Sequence, residues 1–130
     1  MTTDHSEFWG VGATHFRWDP DVGRVVQSVL SFNSAVSCNT YLNHPYPGWD
    51  GRSIDVWSLG GRGSPIGHDL GLSVAKFLFD LPGQPMIRHL IFEHRWWMRG
   101  YGWRPWTRDD HSGALRHVHV TYLPVPPLPW

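Results

Sequence analysis

Residues 117–123 read His-Val-His-Val-Thr-Tyr-Leu. The alternation has a period of two, as in a β-strand, and puts His117, His119 and Thr121 on one face. Working outward from this strand, Met86 to Trp97 reads as another, through Ile87, Leu90, Ile91, Phe92 and Trp96. Ala35 to Leu42 has strand character with Val36, Cys38, Thr40 and Leu42 on one face, and Ser53 to Trp57 is a further strand. Asp19-Pro20 opens a helix, Asp19 as N-cap and Pro20 in the first position, and Val22, Val25, Val26, Val29 and Leu30 follow at helical spacing to about Phe32. Asp69 caps a second helix, with Leu70, Val74, Phe77 and Leu78 apolar, that runs to about Phe79 and is closed by Pro82-Gly83. The order helix, strand, strand, helix, strand, strand predicts an α+β domain: a small, mostly antiparallel four-stranded sheet with two main helices packed on one face.

The chain has 130 residues, one domain's worth. The expected domain is 1–123, and residues 124–130, Pro-Val-Pro-Pro-Leu-Pro-Trp, are a Pro-rich tail that favours polyproline II. Met1 to Trp18 shows no clean period, and Arg99 to Asp110 reads as a Gly-, Trp- and Arg-rich loop. A hydrophobic fraction of 41% excludes wholesale disorder. Lys+Arg and Asp+Glu are both 11, so a strongly basic nucleic-acid binder is not indicated, and no apolar run is long enough to span a membrane. Neutrality and small size fit a monomer. The first twelve residues lack a charged-then-apolar leader, so a chain acting outside a cell would be released by a phage, exported by other means, or have a leader that this sequence does not include. The single cysteine, Cys38, excludes an internal disulfide and a Cys-based zinc site, and reads as a small buried apolar residue. Gly60 to Pro65 is Gly-rich but lacks the spacing of a phosphate-binding loop. Nine Trp and nine His stand out, and the His excess invites a search for metal ligands.

Three segments offer such ligands. His44 sits where a strand runs into its loop, Asp55 lies mid-strand among Ile54, Val56 and Trp57, and His119 lies in the last strand. A carboxylate in apolar surroundings is costly unless paired or bound to a cation. Two His and one carboxylate, with a fourth position left for water, form a catalytic zinc pattern. Asp55 has an alternative use as an ion-pair partner of Arg52 or Arg62.

Gly51-Arg52-Ser53-Ile54-Asp55 and His117-Val118-His119-Val120 resemble two motifs of the zinc-dependent peptidoglycan peptidases, D-Ala-D-Ala carboxypeptidases and L-alanyl-D-glutamate endopeptidases, which share a fold with the hedgehog signalling domain. Asn39-Thr40-Tyr41, His44-Pro45, Ser53 to Trp57, Gly61-Arg62-Gly63, Ile87 to Ile91 and Gly102-Trp103-Arg104-Pro105-Trp106 are similar to an actinobacterial and actinophage branch of that family, over roughly residues 20–123. The resemblance implies one Zn2+ per chain held by His44, Asp55 and His119, with His117 a non-ligand beside the water. It implies a hydrolase of stem-peptide bonds in bacterial peptidoglycan, acting at the cell wall, with no nucleic-acid or membrane partner.

Two departures from the family pattern carry weight. His44 precedes Asp55 by eleven residues rather than seven, an insertion a loop can absorb. The acidic base that many relatives carry three residues before the last ligand is Arg116 here, which cannot act as a base. Asp110 is the first candidate to replace it, Glu93 the reserve, and His117 itself can carry protons. Arg52, Arg62, Trp57 and Trp103 are candidate substrate-binding residues; for the arginines the alternative is a structural ion pair, and for Trp57 a place in the core. Trp49 and Trp106 join the candidate groove, whereas His68, His89, His94 and His111 have no spacing that recruits them. The competing function is a non-catalytic zinc-binding module of the same fold that binds wall or a protein partner.

Overall fold

The computed structural model of the chain describes residues 6–9, 18–41 and 51–124. Their elements run β1 (Ser6–Trp9), α1 (Pro20–Phe32), β2 (Val36–Tyr41), β3 (Ser53–Ser58), α2 (His68–Asp80), β4 (Ile87–Phe92), β5 (Arg95–Met98), β6 (Gly102–Pro105) and β7 (Val118–Tyr122). The fold is α+β with two α-helices, as the sequence order predicts. The sheet has seven strands among the described residues, ordered β1-β2-β3-β7-β4-β5-β6, rather than four. Six of them are joined by antiparallel pairings, and β1 adds to β2 in parallel.

The extra strands have local causes. Met86–Trp97 is two strands because Glu93 turns the chain with φ 58, a left-handed conformation that ends β4 and starts a hairpin with Phe92 opposite Arg95. The Gly-rich stretch after Met98 makes a second hairpin, with Gly100 at φ 88 and Met98 opposite Gly102, so a segment that reads as loop supplies β6. β1 pairs through its backbone and needs no periodic side-chain pattern to do so.

Both helices cover one face of the sheet. α1 buries Val22, Val25, Val26 and Val29, and α2 buries Gly71, Val74, Ala75 and Leu78. These meet Val36, Cys38, Ile54, Val56, Leu90, Phe92, Val118, Val120 and Tyr122 from the strands in one core. Phe32 stacks on Phe77 at 4.3 Å and ties the helices together. Asp19 is the N-cap residue of α1 but makes no side-chain cap. Its carboxylate and that of Asp21 turn instead to Arg52, 3.4 and 2.7 Å from the guanidinium, which also donates to the Leu123 carbonyl. Arg52 thereby joins the start of α1, the entry to β3 and the exit of β7.

The strand faces alternate, so every residue turned away from the helices lies on a second face. In register, Asn39 of β2 opposes Asp55 of β3, Asp55 opposes His119 of β7, and His119 opposes Ile91 of β4. One step along, Ser53 opposes Thr121, which opposes His89. This face is buried as well, but with polar groups: Ser37, Asn39, Ser53, Asp55, His89, His117 and Thr121 are all buried.

α2 approaches β4 closely at Gly71, where an added Cβ would lie 2.2 Å from the Phe92 ring. Gly71→Ala is expected to lower unfolding stability in urea by about 1–3 kcal/mol through overpacking. Gly23, in α1, has nothing within 4 Å of its Cβ position. Gly23→Ala is expected to be neutral or to add about 0.5–1 kcal/mol of helix stability. Equal effects at the two positions would contradict this packing.

Candidate functional site

Asp55 is the centre of the polar face. One oxygen, Oδ1, lies 2.7 Å from His119 Nδ1 and 3.6 Å from His117 Nε2. The β3–β7 register makes the first contact, since Asp55 and His119 are directly opposed. His119 uses its other nitrogen, Nε2, at 2.8 Å from Thr121 Oγ1, which lies 2.9 Å from Ser53 Oγ. Thr121 can donate to Nε2 or accept from it. In the second case the proton leaves Nδ1, whose lone pair then faces Asp55.

His117 has less freedom. Its Nδ1 lies 2.7 Å from the Leu115 carbonyl, an oxygen that only accepts, so the neutral ring carries its proton on Nδ1. Nε2 is then a bare acceptor turned toward a carboxylate. Burial lowers the His117 pKa despite the Asp55 charge and the Leu115 bond, which favours that neutral form. Burial raises the Asp55 pKa, but the positive charge that His117 carries when protonated, with the hydrogen bond and charge of His119, outweighs it and holds the carboxyl down to about 2. A buried anion facing buried lone pairs is an arrangement suited to a cation. Trp57 supports it from below: its ring stacks on His117 at 4.2 Å, and its indole N–H donates to Asn39 Oδ1 at 2.7 Å.

Two histidines that sequence spacing does not recruit join the cluster. His111 stacks on His117 at 4.4 Å and meets His119 edge-on at 5.7 Å. His89 stacks on His119 at 5.4 Å. Asp110 reaches the cluster through His111, accepting from its Nδ1 at 2.7 Å and from the Trp106 indole at 2.8 Å. Burial raises the Asp110 pKa, but these two bonds bring it below the usual carboxylate range. Burial and the neighbouring His117 and His119 lower His111 to about 4, against the pull of Asp110. The sequence holds a signal for His111 in its position next to Asp110. For His89 the signal is the strand period, which sets it on the same side as Ile91.

The other predicted residues divide. His44 and Trp49 lie outside the described residues. Arg52 is 6% exposed and engaged by Asp19, Asp21 and Leu123, so it is a structural clamp rather than a substrate contact. The expected alternative partner for Asp55, an arginine, is replaced by the histidines. Trp57 is 3% exposed and braces His117, so it is not an open groove wall. Arg62 is exposed on the loop after β3. Trp103 lies on the helix side of the sheet, edge-on to Phe79 at 5.8 Å, away from the cluster, and Trp106 instead meets His111. Glu93 sits in the β4–β5 turn against His68 and Arg116, outside the cluster. Among the described residues, no group of three His, Cys, Asp or Glu is arranged to hold a metal ion. Asp55 and His119 are the adjacent donor pair that could contribute to one.

Acid should loosen the chelator-treated protein in two stages. Below the ordinary 6.5 the unfolded chain binds a proton at residue 111 that the folded chain refuses down to about pH 4, so stability falls across that window. The loss from this group is on the order of 3 kcal/mol. Asp55 adds a second loss between 3.8 and about 2, where the unfolded carboxyl is protonated and the folded one is not. In urea titrations at stepped pH, His111→Gln should flatten the first stage; an unchanged slope would contradict the placement of His111.

Compared with known proteins, the chain matches no family model, no curated protein and no solved structure.

Proposed function

We propose that the chain is a zinc-dependent peptidase that hydrolyses peptide bonds in the stem peptides of bacterial peptidoglycan, acting at the wall as an endolysin-like or wall-remodelling enzyme. The observation that carries this reading is the Asp55 oxygen flanked by two imidazole nitrogens, at 2.7 and 3.6 Å, on a buried sheet face. Asp55 and His119 would hold the ion together with His44, which leaves one position for water. Zinc bound there supplies a Lewis acid and makes hydroxide available near neutral pH.

The chain's own residues supply the rest. Thr121, bonded to Ser53, fixes the orientation of the His119 ring and accepts its Nε2 proton when Nδ1 acts as donor atom. His117, protonated on Nδ1 and stacked on Trp57, offers Nε2 as an acceptor for a proton from the reacting water. Asp110 and Trp106 orient His111 against His117. This gives Asp110 a positioning role, exerted through an imidazole, where relatives have a direct acidic base.

A second reading, a non-catalytic zinc-binding module that docks on wall, is favoured by Arg116. Its Nε donates to the Ile66 carbonyl at 2.6 Å and its guanidinium lies 3.9 Å from Glu93, so a structural cation fills the position of the family's acid.

Peptide release from purified peptidoglycan of several chemotypes, with and without chelator, separates the two. The peptidase reading expects release that chelator abolishes. His119→Ala should lose bound zinc and release together, whereas His117→Gln should keep zinc and slow release about 10²–10⁴-fold. Bound zinc and wall pull-down without release would favour the second reading, and absence of bound zinc would defeat both.

A further inference from the structure

The hairpin of β5 and β6 is built unlike the rest of the chain. Residues 95–108 hold Arg95, Arg99, Arg104 and Arg108 and no Asp or Glu, which leaves seven basic residues against eleven acidic ones elsewhere. The net charge of zero therefore hides a basic hairpin on an acidic body. Three of these arginines lie over aromatic rings: Arg95 over Trp103 at 5.2 Å, Arg99 over Trp97 at 5.5 Å and Arg104 over Tyr101 at 5.5 Å. Such contacts occur roughly once per 70–80 residues, so three on one hairpin are a concentration. Arg108 leans on Asp110 at 3.7 Å, which leaves the stacked three as the outward cations.

The register spreads them over both sides. Arg104 opposes Trp96, while Arg95, one residue earlier, opposes Pro105, so Arg104 and Arg95 occupy opposite faces, and Arg99 lies in the connecting turn. The exposed Arg95 and Arg104 can offer their N–H groups to an oxyanion, whereas Arg99 donates its Nε to the Ile87 carbonyl at 2.6 Å and has only its terminal nitrogens to offer. A flat lipid surface would want one apolar face and one basic face, which this hairpin lacks. Single-stranded nucleic acid would want open aromatic faces for base stacking, and here arginines cover faces of Trp97, Tyr101 and Trp103. A flexible chain with its charges set apart along its length can reach cations on two faces and around a turn. Tyr101 and Trp103, 65% and 46% exposed, give the intervening units apolar edges to rest on.

We infer that the β5–β6 hairpin is a docking surface for a linear polyanion, a phosphodiester-linked glycopolymer of the bacterial wall. The wall as its source rests on the peptidase reading; the polyanion chemistry rests on the hairpin. Trp96 of β5 touches Trp106 at 5.3 Å, and Trp106 in turn touches His111. The Arg104 and Trp96 side of the hairpin thus adjoins the Asp55 cluster, while the Arg95 and Trp103 side faces away from it.

The test uses the full chain, treated with chelator, and poly(glycerol phosphate) as probe, with binding followed by Trp fluorescence. Binding is expected, weakening at least about tenfold from about 50 to about 200 mM salt. Arg95→Gln/Arg104→Gln should weaken it at least about tenfold, and Arg24→Gln, on the exposed side of α1, less than about twofold. No binding by the intact chain would overturn the inference, as would an equal loss in the Arg24 variant. So would tighter binding to an oligothymidylate of equal charge or to phosphatidylglycerol vesicles; those competitor arms decide even if the double variant fails to fold. Peptide release is measured separately on the same protein after zinc is restored. Polymer binding without release would remove the peptidase reading alone, and release without polymer binding would remove the docking surface alone.

Discussion

A carboxylate held away from water in the middle of a sheet must be compensated, and Asp55 is the group around which this protein is arranged. The idealised cost of moving such an ion into a dry interior is of order 20 kcal/mol, and several remain after relaxation. The offset comes from β7, sixty-four residues away in sequence, whose register sets His119 directly opposite. β7 lies between β3 and β4, so it delivers His119 and Thr121 to one neighbour while drawing His89 from the other. A slip of one residue would turn Val118 and Val120 to the polar side and drive two histidines into the core. The apolar face under the helices and the polar face around Asp55 thus enforce the same register.

The two faces divide the work. Val22, Val25, Val26, Val29, Val74 and Leu78 press the helices on the sheet and supply the burial that holds the strands. Arg52 locks the ends of three elements without entering the polar cluster. On the other face the polar groups form chains of contacts: Ser53 to Thr121 to His119 to Asp55, and Trp106 to Asp110 to His111 to His117. Networks of this kind hold rings in single orientations, which a reaction at a fixed point requires. They also leave His117 with a lone pair turned toward an anion, an imbalance that a cation or a transferred proton relieves.

Much of this is legible in the sequence because it obeys a short period. The valines of α1 and the alternation at 117–123 read directly, and Asp55 announces itself by lying charged in an apolar strand. The pairing of Asp55 with His119 follows once both strands are seen to be neighbours. What escapes is set by turns and by tertiary contact. Glu93 splits one strand into two through a backbone angle no periodicity encodes, and Gly100 turns an apparent loop into a strand. His111 and His89 carry no motif; they are recruited because strands and a loop meet around His119. Arg52 and Trp57 have the right chemistry for substrate, but burial assigns them to the frame. Trp103 and Trp106 lie close in sequence yet serve opposite sides of the sheet, a distinction set by hairpin register.

Asp55 and His119 are proposed to converge on a divalent ion. Diffraction from zinc-grown crystals, recorded on both sides of the zinc absorption edge, tests it most directly. One anomalous peak is expected about 2.0–2.2 Å from a carboxylate oxygen of Asp55 and a ring nitrogen of His119, with His44 as third ligand and a water completing the shell. A map without a peak there, with Asp55 and His119 still bonded to each other, would contradict it.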